Sequence, residues 1–209
     1  MSESELTMGA GHEALLEASP YGIQSKKLAM WLFIISDSAT FGAMLFAYGY
    51  TRIGSHNWVA PFEFWPTIVN AMVMTLVLLT SSLTMLAAVR AARDGQKSSA
   101  NKWLAFTMIL GTIFAILHIR EWSKMFGEGW GMFTNPTGGA VQFGAAFFSV
   151  TGLHLLHVIS GVIALLVITL GFNRGRFDAN HVETTGLYWH FVDVVWMFVF
   201  PLMYLLNAR

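Results

Sequence analysis

Residues 68–89 read IVNAMVMTLVLLTSSLTMLAAV, a run without a charged side chain. A bilayer's hydrocarbon core is about 30 Å thick and takes roughly 20 helical residues to cross, so this run is long enough to span it. Its apolar residues do not alternate with polar ones as the strands of a membrane barrel would. Working outward, four more runs have the same character. Leu28 to Tyr48 has Asp37 as its only charge, and Trp103 to Ile119 is short and carries His118. Val141 to Phe172 is long enough to tilt or project from the bilayer, and Leu187 to Leu206 contains His190 and Asp193. The sequence therefore predicts an all-α membrane protein, a bundle of five transmembrane helices within 27–209, preceded by a soluble tail at 1–26.

Composition supports this class and excludes others. Of 209 residues, 55% are apolar and 11% charged, with a mean hydropathy of +0.56; a soluble domain is about 25% charged. Twelve Lys and Arg balance twelve Asp and Glu. No basic surplus is left to neutralise a phosphate backbone, which argues against nucleic acid as a partner. With no cysteine there is no disulfide framework, iron–sulfur cluster or thiolate-bound metal. The tail holds Glu3, Glu5, Glu13 and Glu17 and no basic residue before Lys26, unlike a signal peptide.

Orientation follows from the basic residues. Lys26, Lys27, Arg90, Arg93, Lys97, Lys102, Arg174 and Arg176 fall on one side of the five spans, and Arg52, Arg120, Lys124 and Arg209 on the other. The positive-inside rule then puts the N-terminus in the cytoplasm and the C-terminus outside. The longer connections, Arg52 to Trp65 and Arg120 to Ala140, lie outside and are too short for a soluble catalytic domain. The second has the turn chemistry of Asn135, Pro136, Thr137, Gly138 and Gly139.

An ionisable group in hydrocarbon costs a few kcal/mol, so each one within a span needs an explanation. Asp37 lies about 14 Å along its span at about 1.5 Å per residue, near mid-membrane. A carboxyl there is protonated unless a base or water meets it, which is the state that proton handling requires. His190 and Asp193 sit roughly 5 and 9 Å from the cytoplasmic end of the fifth span, and His154 and His157 roughly 10 and 6 Å from the same end. Matching depth and a spacing of three within each pair predict that the two histidines face His190 and Asp193 in one interhelical polar cluster. Hydrogen-bonded helix glue and a direct role in proton movement or ligand binding both fit such a cluster. Bis-histidine haem ligation by His154 or His157 with His190 is a further geometric option. A metal site lacks the Glu-x-x-His pattern of helical carboxylate centres. His118, Arg120 and Glu121 close the third span near the outer face, where an interfacial anchor is the simpler reading.

Three segments carry a resemblance. Tyr188 to Trp196 reads YWHFVDVVW, Phe147 to Gly161 reads FFSVTGLHLLHVISG, and the second span has Asn70 followed by LLTSS at 78–82. In content and order these resemble subunit III of the haem-copper terminal oxidases, over Met30 to Arg209, in its short bacterial form of five helices. The resemblance implies Ser36 and Asp37 where that family has a mid-membrane Ser-Glu pair, the glutamate being carbodiimide-reactive. Aspartate there also resembles quinol-oxidising members, so the electron donor stays open between cytochrome c and quinol. The family's Gln-x-x-Glu-Tyr pattern is here His118, Ile119, Arg120, Glu121 and Trp122, which keeps the glutamate and loses the glutamine.

It further implies an accessory subunit of an oxygen-reducing, proton-translocating complex in the bacterial inner membrane, its C-terminus periplasmic. Such a subunit has no catalytic, cofactor-binding or metal-binding residue of its own, the haems and copper belonging to subunits I and II. Its partners are subunits I and II, with a small subunit IV or a larger respiratory supercomplex beyond them, and phospholipid. Asp37 and Glu121 are then proton-related or lipid-facing, and His154, His157, His190 and Asp193 structural. The competing expectations are an accessory protein of nitric oxide reductase, an independent membrane cytochrome b, and a small proton or ion carrier centred on Asp37.

Overall fold

The computed structural model describes residues 25–55, 58–59, 61–138 and 141–208. The tail expected at 1–26 lies outside them except for its last two residues, as do Gly139, Ala140 and Arg209. Five helices carry the fold: α1 Ser25–Gly54, α2 Val69–Arg93, α3 Lys97–Gly127, α4 Gln142–Asn173 and α5 Ala179–Val199. A π-helical turn, Phe64–Ile68, leads into α2, and another, Phe200–Tyr204, carries α5 on to a 3-10 turn at Leu205–Asn207. The segments Ser25–Gly54, Phe64–Arg93, Lys97–Gly127, Gln142–Asn173 and Ala179–Asn207 are each long and apolar enough to cross a membrane. The described residues contain no strand, only a bridge between Phe62 and Ala208.

The helices overrun the apolar runs that announce them. α3 has 31 residues where the run at 103–119 suggested a short span, and it continues from Arg120 to Gly127 through residues expected in a loop. Arg120, Glu121, Ser123 and Lys124 all tolerate helix, and the backbone reverses only beyond them. α5 begins at Ala179, well ahead of Leu187, because the Asp178 carboxylate accepts a hydrogen bond from the His181 backbone N–H at 3.2 Å and caps the first turn.

Three helices end by one device. Gly95, Gly129 and Gly175 have φ of +72°, +86° and +71°, the left-handed conformation that glycine adopts without steric cost. The next residue then donates back into the helix, Gln96 to the Ala91 carbonyl at 2.9 Å, Trp130 to Met125 at 3.0 Å and Arg176 to Gly171 at 2.9 Å. Carbonyls that the helix end would leave bare are satisfied, and the chain can reverse within a few residues.

α5 is the central element, packed against α1, α2 and α4, while α2 lies against α3 and α3 against α4. Trp189 and Trp196 on α5 are fully buried. A Cβ at Gly111 on α3 or at Gly161 on α4 would collide with the Trp189 ring, so these two glycines are what admits the indole between the helices. In lipid, where apolar side chains gain little by leaving the solvent, such close fit supplies much of the association energy. α1 leans on α4 and α5 and buries little beyond Phe41 and Tyr48. At its far end it is tied to the end of the chain. Asn207 donates to the Tyr48 hydroxyl at 2.8 Å and accepts from Trp58 Nε1 at 2.8 Å, and Arg52 donates to the Leu206 carbonyl at 2.5 Å.

Candidate functional site

Asp37 on α1 and His157 on α4 meet across the seam that α1 makes with the rest of the bundle. Asp37 Oδ2 stands 3.2 Å from His157 Nε2, and each side chain is 14% exposed. The separation is that of an ion pair, without the alignment of a good hydrogen bond. His157 Nδ1 lies 2.8 Å from the Leu153 carbonyl. A carbonyl can only accept, so Nδ1 carries a proton and donates it. Nε2 is then the nitrogen turned to Asp37, so the pair sets an imidazole nitrogen against a carboxyl inside the span.

The surroundings fix this geometry. Phe41 lies edge-on to the His157 ring with centroids 5.5 Å apart, and Phe33 packs at 6.4 Å. The Tyr188 hydroxyl on α5 donates to the His157 carbonyl at 3.1 Å and lies 2.7 Å from Ser160 Oγ. Three helices therefore contribute to the site, and α1 supplies only its acid and its aromatic cover.

The four residues expected to form one cluster are divided among different neighbours. His190 Nδ1 lies 2.6 Å from Ser82 Oγ on α2, and the same hydroxyl interacts with the Asp193 carboxyl. His154 is buried between rings, stacked on Trp196 at 5.1 Å and edge-on to Phe114 at 5.8 Å. His118, expected near the outer face, is fully buried and edge-on to Trp196 at 5.7 Å. The expectation fails because matching depth does not fix the rotation of each helix: His154 is enclosed by the Trp196 and Phe114 rings, while His190 and Asp193 lie against Ser82 on α2. The expected depth of His154 and His157 is also corrected. About 24 Å of helix separates His157 from Asn173 at about 1.5 Å per residue, which brings His157 level with Asp37. Haem ligation by His190 with His154 or His157 needs facing imidazoles, and His190 instead faces Ser82.

The indole N–H groups are satisfied within the bundle, Trp189 Nε1 donating to Ser81 Oγ at 3.0 Å and Trp196 Nε1 to Thr75 Oγ1 at 2.9 Å. Glu121, expected at the interface, is turned inward and 6% exposed. It accepts from Asn70 Nδ2 at 3.3 Å and lies beside the Tyr204 hydroxyl. Arg120, next to it, is exposed. Sequence reasoning passed over Tyr204, Asn207 and Tyr48. Their only signal is a polar atom at the end of an apolar run, which Trp and Tyr at any membrane interface also give. Among the described residues no group of three or more His, Cys, Asp or Glu could hold a metal ion.

Five helices of membrane-crossing length, with acid and imidazole groups held between them, define an integral membrane helical bundle. The chain belongs to the cytochrome c oxidase subunit III family, whose profile matches residues 18–208. It is 32% identical over 184 residues to the cytochrome bo(3) ubiquinol oxidase subunit 3 of Pseudomonas aeruginosa, covering 85% of this chain and 83% of that one. It is 30% identical over 183 residues to the cytochrome c oxidase subunit 3 of Corynebacterium diphtheriae, covering 84% and 86% respectively. A heme-copper oxidase subunit I+III of Aeropyrum pernix is 33% identical over 208 residues, which cover 91% of this chain and 24% of that longer polypeptide.

Proposed function

We propose that this chain is the accessory subunit III of a haem-copper terminal oxidase in a bacterial inner membrane. It packs against subunit I, as the fused Aeropyrum pernix polypeptide suggests by joining I and III in one chain. Residues 27–209 form its membrane domain, with the N-terminus and the acidic residues 1–26 in the cytoplasm and the C-terminus in the periplasm. Eight basic residues on the N-terminal side against four on the other support that orientation. The redox centres lie in the partner subunits, and this chain sustains proton uptake, assembly and lipid binding. Relatives in both quinol and cytochrome c oxidases leave the donor between those two.

The observation that carries this reading is the Asp37–His157 pair. It sets a carboxyl and an imidazole side by side at mid-span, on the helix least covered by the rest of the bundle. Such a group can buffer or relay protons for a neighbour while catalysing nothing itself.

The test uses the oxidase complex purified from its own host. Asp37→Ala should leave oxygen consumption possible and shorten the time over which it is sustained, or weaken retention of this chain. A wild-type initial rate together with a wild-type lifetime would remove Asp37 from the function. A reduced-minus-oxidised spectrum, taken before and after a wash that strips the partners, should lose its haem bands with them. Bands that persist on the isolated chain would overturn the accessory reading.

A further inference from the structure

Among the described residues, the interior on the Asn207 side of mid-span carries more hydrogen-bonding groups than partners for them. His118 on α3 and His154 on α4 are each fully buried, and none of their four ring nitrogens has a hydrogen-bonding partner. Trp122 Nε1, whose ring lies 5.6 Å from His118, is buried and unpaired as well. A neutral imidazole presents one N–H and one lone pair, so the two rings leave two donors and two acceptors unmet. Each such group is costly in an apolar interior unless something hydrogen-bonds to it. Trp189 is the contrast, since it is equally deep in the bundle and its indole N–H is taken by Ser81.

These groups form a series. His118 and Glu121 stand three residues apart on α3, and His154 and His157 three apart on α4, so each pair shares a helix face. The Trp196 ring joins the two pairs, with His118 edge-on at 5.7 Å and His154 stacked at 5.1 Å, and Phe114 packs at 5.8 Å from both imidazoles. At one end the series meets Asp37 through His157. At the other it meets Glu121, which accepts from Asn70 and contacts the Tyr204 hydroxyl. Two cavities of about 200 and 300 Å³ open beside Glu121, between the start of α2 and the last turns of α3, and Thr67, Glu121 and Lys124 line both. Polar groups thus run from an open cavity at the Asn207 end to the pair at mid-span.

We propose that this interior holds water and forms a proton path between the Glu121 cavities and the Asp37–His157 pair. Water supplies what the imidazoles lack, because one molecule both donates and accepts, and a buried water makes about three hydrogen bonds to groups otherwise left unsatisfied. Two imidazoles with no third ligand among the described residues do not make a metal site. A neutral imidazole takes a proton on one nitrogen and releases one from the other, so a proton entering beside Glu121 passes His118 and His154 towards His157 and leaves each ring neutral. The path ends at the Asp37–His157 pair. It therefore equilibrates a buried acid with one side of the membrane and moves no net charge across it. This inference rests on the relay role proposed above for that pair.

The experiment is X-ray hydroxyl-radical footprinting of the purified complex, in which radicals form from water at the site and oxidised residues are read by mass spectrometry. Trp196 and Trp189 are the same side chain at the same burial, so they calibrate each other. Trp196 should be oxidised at least tenfold faster than Trp189, with His118 and His154 oxidised alongside it. Equal rates at the two tryptophans would overturn the proposal. His118→Phe, which keeps a ring and removes its polar atoms, should bring Trp196 down towards Trp189. Mixing with oxygen-18 water before exposure tests the opening. The oxygen added to Trp196 should carry the new isotope within seconds in the wild type, and at least tenfold more slowly in Thr67→Phe, which narrows both cavities. Wild-type oxygen that keeps the old isotope for minutes would mean sealed water and would overturn the path. The wild-type complex decides both points by itself, even where a variant fails to assemble. Oxygen consumption lifetime in Asp37→Ala, which tests the accessory role, is a separate readout, so the two ideas fail separately.

Discussion

α1 and α5 are both apolar enough to cross a membrane, yet they are held in opposite ways. α5 buries Trp189, Val192, Trp196 and Val199 among its neighbours, whereas α1 leaves Trp31, Leu32, Ile35, Phe46, Tyr50 and Ile53 exposed. What α1 has instead is polar ties along its length. Lys27 pairs with Glu183 at 2.5 Å near one end, Asp37 with His157 at 3.2 Å in the middle, and at the other end Arg52 donates to the Leu206 carbonyl while the Tyr48 hydroxyl accepts from Asn207 at 2.8 Å. Close packing fixes the body, and a few charges and hydrogen bonds fix the helix beside it. In lipid the second arrangement is the looser one, because an interhelical polar contact contributes only about 0.6 kcal/mol on average. A helix held this way can shift or dock on a partner without the body repacking.

One substitution placed in both regions is the strongest test. Gly161→Leu drives side-chain atoms into the Trp189 ring, while Gly42→Leu on α1 enters open space. The first should destabilise by about 3 kcal/mol, the upper range for overpacking, and the second by less than about 0.5 kcal/mol. Denaturant unfolding of the detergent-solubilised protein measures both. Equal losses would mean that α1 is covered as tightly as α5 and that the contrast is wrong.

A smaller effect is expected at the central tie. A double-mutant cycle with Asp37→Asn and His157→Gln should give a coupling of about 1 kcal/mol, within the range for polar pairs between membrane helices. Hydrogen exchange should rise in the Asp37 variant across Ser25–Gly54 and stay unchanged in α2. Zero coupling would leave α1 held by its two ends alone.

How much of this was legible beforehand depends on which force places each residue. The five helices are set by length and apolarity, so the run at 68–89 announces α2 with little ambiguity. Helix ends are set by caps, and Asp178 and Gly129 moved the starts and stops of α5 and α3 by several residues. The polar partners are set by packing between helices, which a single sequence does not encode in its spacing. The depth expected for His157 is too shallow for its own run: fifteen residues, about 22 Å of helix, separate it from Phe172, which sets it at the level of Asp37. Depth pairs His190 with α4, whereas the rotation of α5 sets it against Ser82 on α2. Glu121 was read as an anchor beside Arg120. Adjacent residues on a helix point about 100° apart, and here one faces solvent and the other the interior.

The smallest effect lies where α1 begins. His181 on α5 stands between two helices, its Nδ1 2.6 Å from Asp178 Oδ1 and its Nε2 3.1 Å from Lys26 Nζ on α1. The lysine can only donate and the carboxylate only accept, so His181 gives its Nδ1 proton to Asp178 and accepts from Lys26 at Nε2. The hydrogen bond from the His181 side chain holds the Asp178 carboxyl below its ordinary range. A carboxyl depressed in the folded state contributes stability that is complete above its unfolded value, about 4, and is lost as pH falls through the lower folded one. Stability should therefore be flat in this contribution near neutral pH and decline only in acid. Asp178→Asn separates capping from titration, since asparagine caps a helix about as well as aspartate. At pH 7 the variant should lose about 0.5 kcal/mol or less, and its acid dependence should be shallower than wild type. If Asp178→Asn instead loosens α1 as much as Asp37→Asn does by hydrogen exchange, the relay from Lys26 through His181 is a principal tie of that helix. The order of its three attachments would then have to be reversed.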